Sequence, residues 1–184
     1  AIPAIDVDTG FSYKLLGARG GEFLYDPGDV TSADDSAMVI VADGKRLIRE
    51  MDGEVYVDWW IRESDVDASA GFQRMFDWIK SAPNRSFRIK AKKTFYKINT
   101  QVTWPGALPS GNAQQLFLEI NMPGVVIKTD SAITIFSRLP PVSDSASPFI
   151  SSYKPIIRGI YFVGNSLTGS SALKFGATYG MVVE

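Results

Sequence analysis

The chain has 184 residues, with 19 Lys+Arg against 20 Asp+Glu, a formal net charge of -1, no cysteine and no histidine. That balance supplies no overall field to gather nucleic acid or an anionic membrane surface. Without Cys or His, disulfides, thiol nucleophiles, Ser-His-Asp machinery and His- or Cys-ligated metal sites are excluded, so any chemistry rests on Asp, Glu, Lys, Arg or Tyr.

The opening Ala1-Ile2-Pro3-Ala4-Ile5-Asp6 lacks the basic start and long apolar run of a signal peptide. No later run approaches the roughly 20 apolar residues of a membrane-spanning helix. Neither membrane insertion nor a nucleic-acid partner is expected. Residues 1–35 are rich in Gly and Asp, with short apolar islands at Phe11-Ser12-Tyr13 and Phe23-Leu24-Tyr25. They read as extended segments and turns that need a partner surface to become ordered. Asp26-Pro27-Gly28-Asp29 and Asp34-Asp35 do not match EF-hand spacing, and turn chemistry accounts for them. No metal and no cofactor is expected.

Across 36–63 the signals sharpen. Asp43-Gly44 and Asp52-Gly53 read as two-residue hairpin turns, because Gly accepts positive φ. They separate 38–42, 45–51 and 54–60 into a three-stranded antiparallel meander. In its last strand Val55, Val57 and Trp59 share one face, which makes Trp59 core, while Trp60 on the other face is a candidate for stacking on a sugar ring.

Phe72, Met75, Phe76 and Ile79 then recur at i, i+3, i+4 and i+7, predicting one amphipathic helix over about 67–80. Asp67 or Ser69 is placed to cap it, and Pro83-Asn84 to stop it. After it, Phe87-Arg88-Ile89-Lys90-Ala91-Lys92 alternates apolar and basic residues, and the basic tract continues through Lys93, Phe95, Tyr96 and Lys97. The alternation predicts a half-buried strand with a solvated basic face. Lys90 and Lys92 are the candidate contacts for an acidic glycan.

Short β runs follow at 101–104, 116–120, 125–128, 133–136, 156–162, 172–175 and 181–184. Turns are expected at Trp104-Pro105-Gly106, Ser110-Gly111-Asn112 and Met122-Pro123-Gly124. The interval from Ile133 to Ile157 to Val182 is roughly two dozen residues, a spacing that predicts stacked coils. A solenoid needs a cover on its first coil, and the helix is the natural one. The polar stretch 137–148, with Pro140-Pro141, reads as a loop bulging from the wall. Glu119 and Asp130 are the acids that stacking can bring onto one wall for glycoside hydrolysis, which needs two carboxyls about 5–10 Å apart. Tyr153, beside Lys154, is the candidate for lyase chemistry and sugar contact.

Arg49, Gly53, Val55 and Trp59-Trp60, then Asp65 and Asp67, then Ala70-Gly71-Phe72-Gln73, occur in an order that resembles the entry into a right-handed parallel β-helix of the pectate-lyase superfamily, as built in bacteriophage tailspikes and capsule depolymerases. Ile157-Arg158-Gly159-Ile160-Tyr161-Phe162-Val163-Gly164-Asn165 and Ala172-Leu173-Lys174-Phe175 are similar to successive strands of such coils. The resemblance covers roughly residues 36–184. It departs from the family at Lys92-Lys93-Thr94-Phe95-Tyr96-Lys97-Ile98, where a "P.G.Y.I" turn is usual, and at Trp60, where Phe is usual.

The resemblance implies a mainly β fold: a small antiparallel N-terminal module, one capping α-helix, then the first coils of a right-handed parallel β-helix. It divides the chain into a virion-anchoring segment at 1–35, a neck at 36–63, and helix plus coils at 64–184. It further implies a homotrimer on the virion tail, held to other tail or baseplate proteins by the N-terminal segment, recognising and depolymerising a bacterial surface polysaccharide. A complete small carbohydrate-active β-helix enzyme and an inactive structural virion adaptor are the alternative readings. The ending Met181-Val182-Val183-Glu184, a strand pattern with no capping turn, implies that the stack continues and that the active site lies beyond these residues.

Overall fold

A computed structural model describes residues 11–17, 19–82, 86–105, 117–138, 156–164, 168–175 and 182–184. Contacts divide the chain into residues 1–52 with 58–60 and residues 53–57 with 61–184.

In the first unit, β1 (Ser12–Leu15) and β2 (Gly21–Tyr25) pair antiparallel, as do β3 (Val39–Ala42) and β4 (Lys45–Arg49), in the sheet order β1-β2-β4-β3. Asp43 and Gly44 both take positive φ, 51° and 74°, as a tight β3–β4 hairpin demands. Phe23, Ile40, Ala42 and Leu47 form a small core, with Tyr13, Leu15 and Tyr25 packed at its margin. Two expectations are corrected here. Residues 12–25 are not extended segments awaiting a partner, because Phe23, Leu24 and Tyr25 pair with Arg49, Ile48 and Leu47 of the chain's own β4. The three-stranded meander does not form either: β2 holds the edge of β4 that its third strand was to fill, and the chain has left this sheet by Gly53, where the second unit begins.

The Asp-rich loop is held by turn chemistry. Asp35 Oδ1 accepts from the N–H groups of Ala37, Met38 and Val39 at 2.7–2.9 Å, and Asp29 Oδ1 accepts from Thr31 and Ser32. Arg49 ties the loop to the hairpin. Its guanidinium donates to the carbonyls of Ala37 (2.6 Å), Gly20 (3.1 Å) and Arg19 (2.7 Å). It lies between the rings of Phe23 and Trp59, 4.3 and 4.0 Å from their centroids.

In the second unit every strand pairing among the described residues is parallel. The strands are β5 (Glu54–Tyr56), β6 (Ser86–Lys90), β7 (Phe95–Lys97), β8 (Val102–Thr103), β9 (Phe117–Thr129), β10 (Thr134–Arg138), β11 (Ile156–Gly164), β12 (Ser171–Phe175) and β13 (Val182–Val183). They build three walls. The first runs β5, β6, the start of β9, the start of β11, then β13; the second joins β7 to the later parts of β9 and β11; the third is β8-β10-β12. Val55, Ile89, Ile120, Ile157 and Val183 are register partners in one column. This is a parallel β-helix.

The separate strands expected at 116–120 and 125–128 are one strand, β9, bent at Pro123-Gly124 rather than ended there. The bend is stacked. Gly159 of β11 has φ +70°, and a Cβ there would sit 2.6 Å from Pro123 Cα. The repeat is also corrected: the stacked positions are Ile120, Ile157 and Val183, unequally spaced because the connections differ in length, and Ile133 precedes β10 without joining that column. The loop expected at 137–148 lies outside the described residues from 139 on, with Ser137 and Arg138 ending β10. Tyr153, Lys154 and the turn at 110–112 also lie outside them.

The helix α1 (Ser69–Ser81) buries Phe72, Met75, Phe76 and Ile79, the predicted stripe. Phe72 packs on Tyr96 and Phe136, and Phe76 on Trp104 and Phe136, at centroid distances of 5.3–5.8 Å. Phe162 of the next coil meets Phe136 edge to face. The N-cap is Ala68, not Asp67 or Ser69. Asp67 accepts from the Ser69 N–H at 2.7 Å, while the Ser69 hydroxyl accepts from Asn99 and Thr100 and the Gln73 amide oxygen accepts from Thr103. These polar groups fasten the helix to the coil beneath it. Ala82 ends the helix in an extended conformation, as the residue before a proline prefers.

Candidate functional site

Two outward faces of the β-helix follow opposite rules. On the first wall the sign of charge alternates from coil to coil: Glu54, then Arg88 and Lys90, then Glu119, then Arg158, then Glu184. Arg88 Nε meets Glu119 at 3.0 Å and its Nη1 lies 3.9 Å from Glu54, with which Lys90 also pairs. Arg158 reaches Glu119 at 3.4 Å and Glu184 at 2.8 Å. Asn121 donates a further hydrogen bond to Glu119. This lattice is engaged with itself.

The second wall exposes rings. Phe95, Val126 and Tyr161 are register partners on successive coils, and Phe95 is 52% and Tyr161 65% exposed. Adjacent strands lie about 4.8 Å apart, so the two rings stand about 10 Å apart along the solenoid axis. Beside them runs a second column, Lys97, Lys128 and Val163. Asp130, just past β9, bridges the two ammonium groups at 2.7 and 3.0 Å. Hydrogen bonds from Lys97 and then Lys128 hold its carboxyl down at about 2.

The sequence candidates fall as follows. Glu119 is on the first wall and Asp130 at the end of the second, on either side of the Pro123-Gly124 corner, so stacking does not bring them onto one wall. Both oxygens of Glu119 face cations, and Asp130 is too acidic to hold a proton for a leaving group at neutral pH. Lys90 is bound to Glu54, and the Lys92 ammonium lies 5.5 Å over the Tyr56 ring. Trp60 is corrected from a sugar platform to a core residue, only 3% exposed beside Trp59. Sequence reasoning missed Phe95 and Tyr161, whose signal was parity: each alternates with an inward ring, the buried Tyr96 in one case and the half-buried Phe162 in the other.

The family described as "Phage tail protein small four-stranded beta-sheet domain" matches residues 9–52, the span that folds as β1 to β4. No curated protein matches the chain. Among solved structures the chain is similar to the tailspike protein of Acinetobacter baumannii phage AM24, at 22% identity and a TM-score of 0.62 over 89% of this chain and 28% of that one. It is also similar to Pantoea stewartii WceF, described as a glycan biofilm modifying enzyme with a bacteriophage tailspike-like parallel β-helix fold, at 16% identity and a TM-score of 0.51 over 90% of this chain and 25% of that one. The chain thus spans about a quarter of the length of these two structures. Residues that match a phage tail sheet domain therefore lead, in this chain, into a parallel β-helix similar in fold to those of tailspikes.

Proposed function

We propose that the chain is the N-terminal part of a tailspike: the small sheet domain attaches it to the virion tail, and the β-helix recognises a bacterial surface polysaccharide. The observation that carries this reading is the order of parts, a phage tail sheet domain followed by helix-covered parallel coils. In the whole spike we expect a homotrimer that depolymerises the glycan. The two candidate acids, Glu119 and Asp130, are both engaged in ion pairs, so that chemistry is assigned to other parts of the spike.

Within the described coils, the exposed Phe95–Val126–Tyr161 column is the surface best suited to a sugar chain. Aromatic faces pack on the apolar faces of sugar rings, and contiguous exposed apolar surface marks an interaction site. Lys97 and Lys128 add a net positive edge after Asp130 is counted, which favours an acidic glycan. Glycan-array or calorimetric titration of the full spike tests it. Phe95→Ala with Tyr161→Ala is expected to weaken binding of the recognised polysaccharide about tenfold or more while the unfolding midpoint stays near wild type, since both rings are exposed. Unchanged affinity removes this face from glycan recognition.

A further inference from the structure

The second wall carries a period as well as a surface. Phe95, Val126 and Tyr161 are register partners on three successive coils, so along the solenoid axis the wall reads ring, short side chain, ring. Phe95 and Tyr161 stand out at 52% and 65% exposure, while Val126 between them is half-buried. Each coil advances the column by one strand spacing, about 4.8 Å. An extended chain of pyranose sugars advances about as far per residue. Three consecutive sugars laid along the axis therefore fall on Phe95, Val126 and Tyr161. In an extended, twofold chain alternate sugars turn the same way. The two that meet the rings then present the same apolar face to them, and the inverted sugar between them lies over the short Val126.

The flanking column distributes charge unevenly. Lys97 beside Phe95 and Lys128 beside Val126 are cations, and Val163 beside Tyr161 is apolar and 41% exposed. The two lysine side chains are 44% and 34% exposed, and Asp130 bridges their ammonium groups. The trio thus keeps one net positive charge, enough for one carboxylate. Strand register decides which sugar carries it. In a two-residue repeat the sugars on Phe95 and Tyr161 are the same, and a carboxylate on both would set one of them against Val163, where no cation answers it. A carboxylate on the middle sugar meets Lys128 directly, with Lys97 one coil away.

We infer that this wall binds a glycan of alternating neutral and acidic sugars running along the solenoid axis, with neutral sugars on Phe95 and Tyr161 and a uronate over Val126 whose carboxylate meets Lys128 and Lys97. The inference rests on the glycan reading proposed above and adds the path, the repeat and the charge of the chain.

The probes are oligosaccharides of two to six residues, prepared by partial hydrolysis of the host's surface polysaccharide and used both native and with their carboxyls reduced to hydroxymethyl groups. They are titrated calorimetrically into the full spike. Affinity is expected to rise about tenfold from the disaccharide to the neutral-ended trisaccharide, the shortest chain that reaches both rings. Tyr161→Ala is expected to abolish that step. Carboxyl reduction is expected to weaken wild-type binding about tenfold, and to change nothing in Lys97→Met with Lys128→Met and Asp130→Asn, which removes the three charges together. Thermal unfolding of each variant separates loss of binding from loss of fold. A length step that is absent, or that survives Tyr161→Ala, overturns the axial path, and equal affinity for native and reduced fragments overturns the uronate. In both cases weaker binding of the whole polysaccharide by Phe95→Ala with Tyr161→Ala leaves the glycan reading standing. Unchanged binding by that double variant overturns both.

Discussion

Arg49 is a charge held almost out of water, 4% exposed, with three carbonyls and two aromatic faces in place of a carboxylate. Burial pushes its guanidinium down to about 10, still charged at neutral pH, with Asp35 opposing the shift. Arg49→Met leaves those carbonyls without their donor, and is expected to destabilise the first unit by about 2–4 kcal/mol in urea unfolding. Arg49→Lys should recover little, because an ammonium lacks the fork that reaches three acceptors. Asp130 is the opposite case, a surface carboxylate pinned by two lysines. Its depressed folded-state value means its contribution to stability is complete above the ordinary carboxylate range and is lost as pH falls through about 2. A carboxyl-carbon NMR titration should place its midpoint near 2, rising toward the ordinary range when Lys97 and Lys128 are both replaced by Met; a wild-type midpoint near 4 contradicts the bridge. Sequence reading found Arg49 as part of a motif and Asp130 as an acid, but neither role. What decides the role is the set of partners, and those come from residues 30 or so positions away, such as Arg19 for Arg49 and Lys97 for Asp130.

At the scale of elements, local pattern served where a single period governs a segment. The helical stripe from Phe72 to Ile79 and the alternation through Phe87–Lys90 were both legible, because burial on one side fixes which residue types recur. The β2–β4 pairing and the departure of β5 were not. Asp52-Gly53 has the chemistry of a hairpin turn, yet the partner position was already filled by a strand that precedes it in the chain. The corner at Pro123-Gly124 misled in the same way, since the residues of a turn and of a bend within a strand are alike. That corner is testable. Gly159→Ala adds a Cβ 2.6 Å from Pro123 Cα at a residue with φ +70°, whereas Gly124→Ala, φ +76°, meets nothing within 4 Å. Thermal unfolding should show a loss of roughly 2–4 kcal/mol for the first and roughly 1–2 kcal/mol for the second. Equal losses would mean that the coils do not stack at this corner.

For the whole molecule, the order of parts was readable and their boundary was not. The small antiparallel module, the covering helix and the parallel coils all appear in the predicted sequence, but the module reaches back through residues 12–25 instead of starting at 36. The Gly- and Asp-rich composition of those residues concealed two short strands that only a distant β4 stabilises. The central claim is that these residues are one end of a trimeric spike, and it is tested most directly by the mass of the native polypeptide and of its oligomer, both taken from the source particle. A chain several times longer than 184 residues, in a trimer, is the predicted result. A monomer of these 184 residues alone contradicts it.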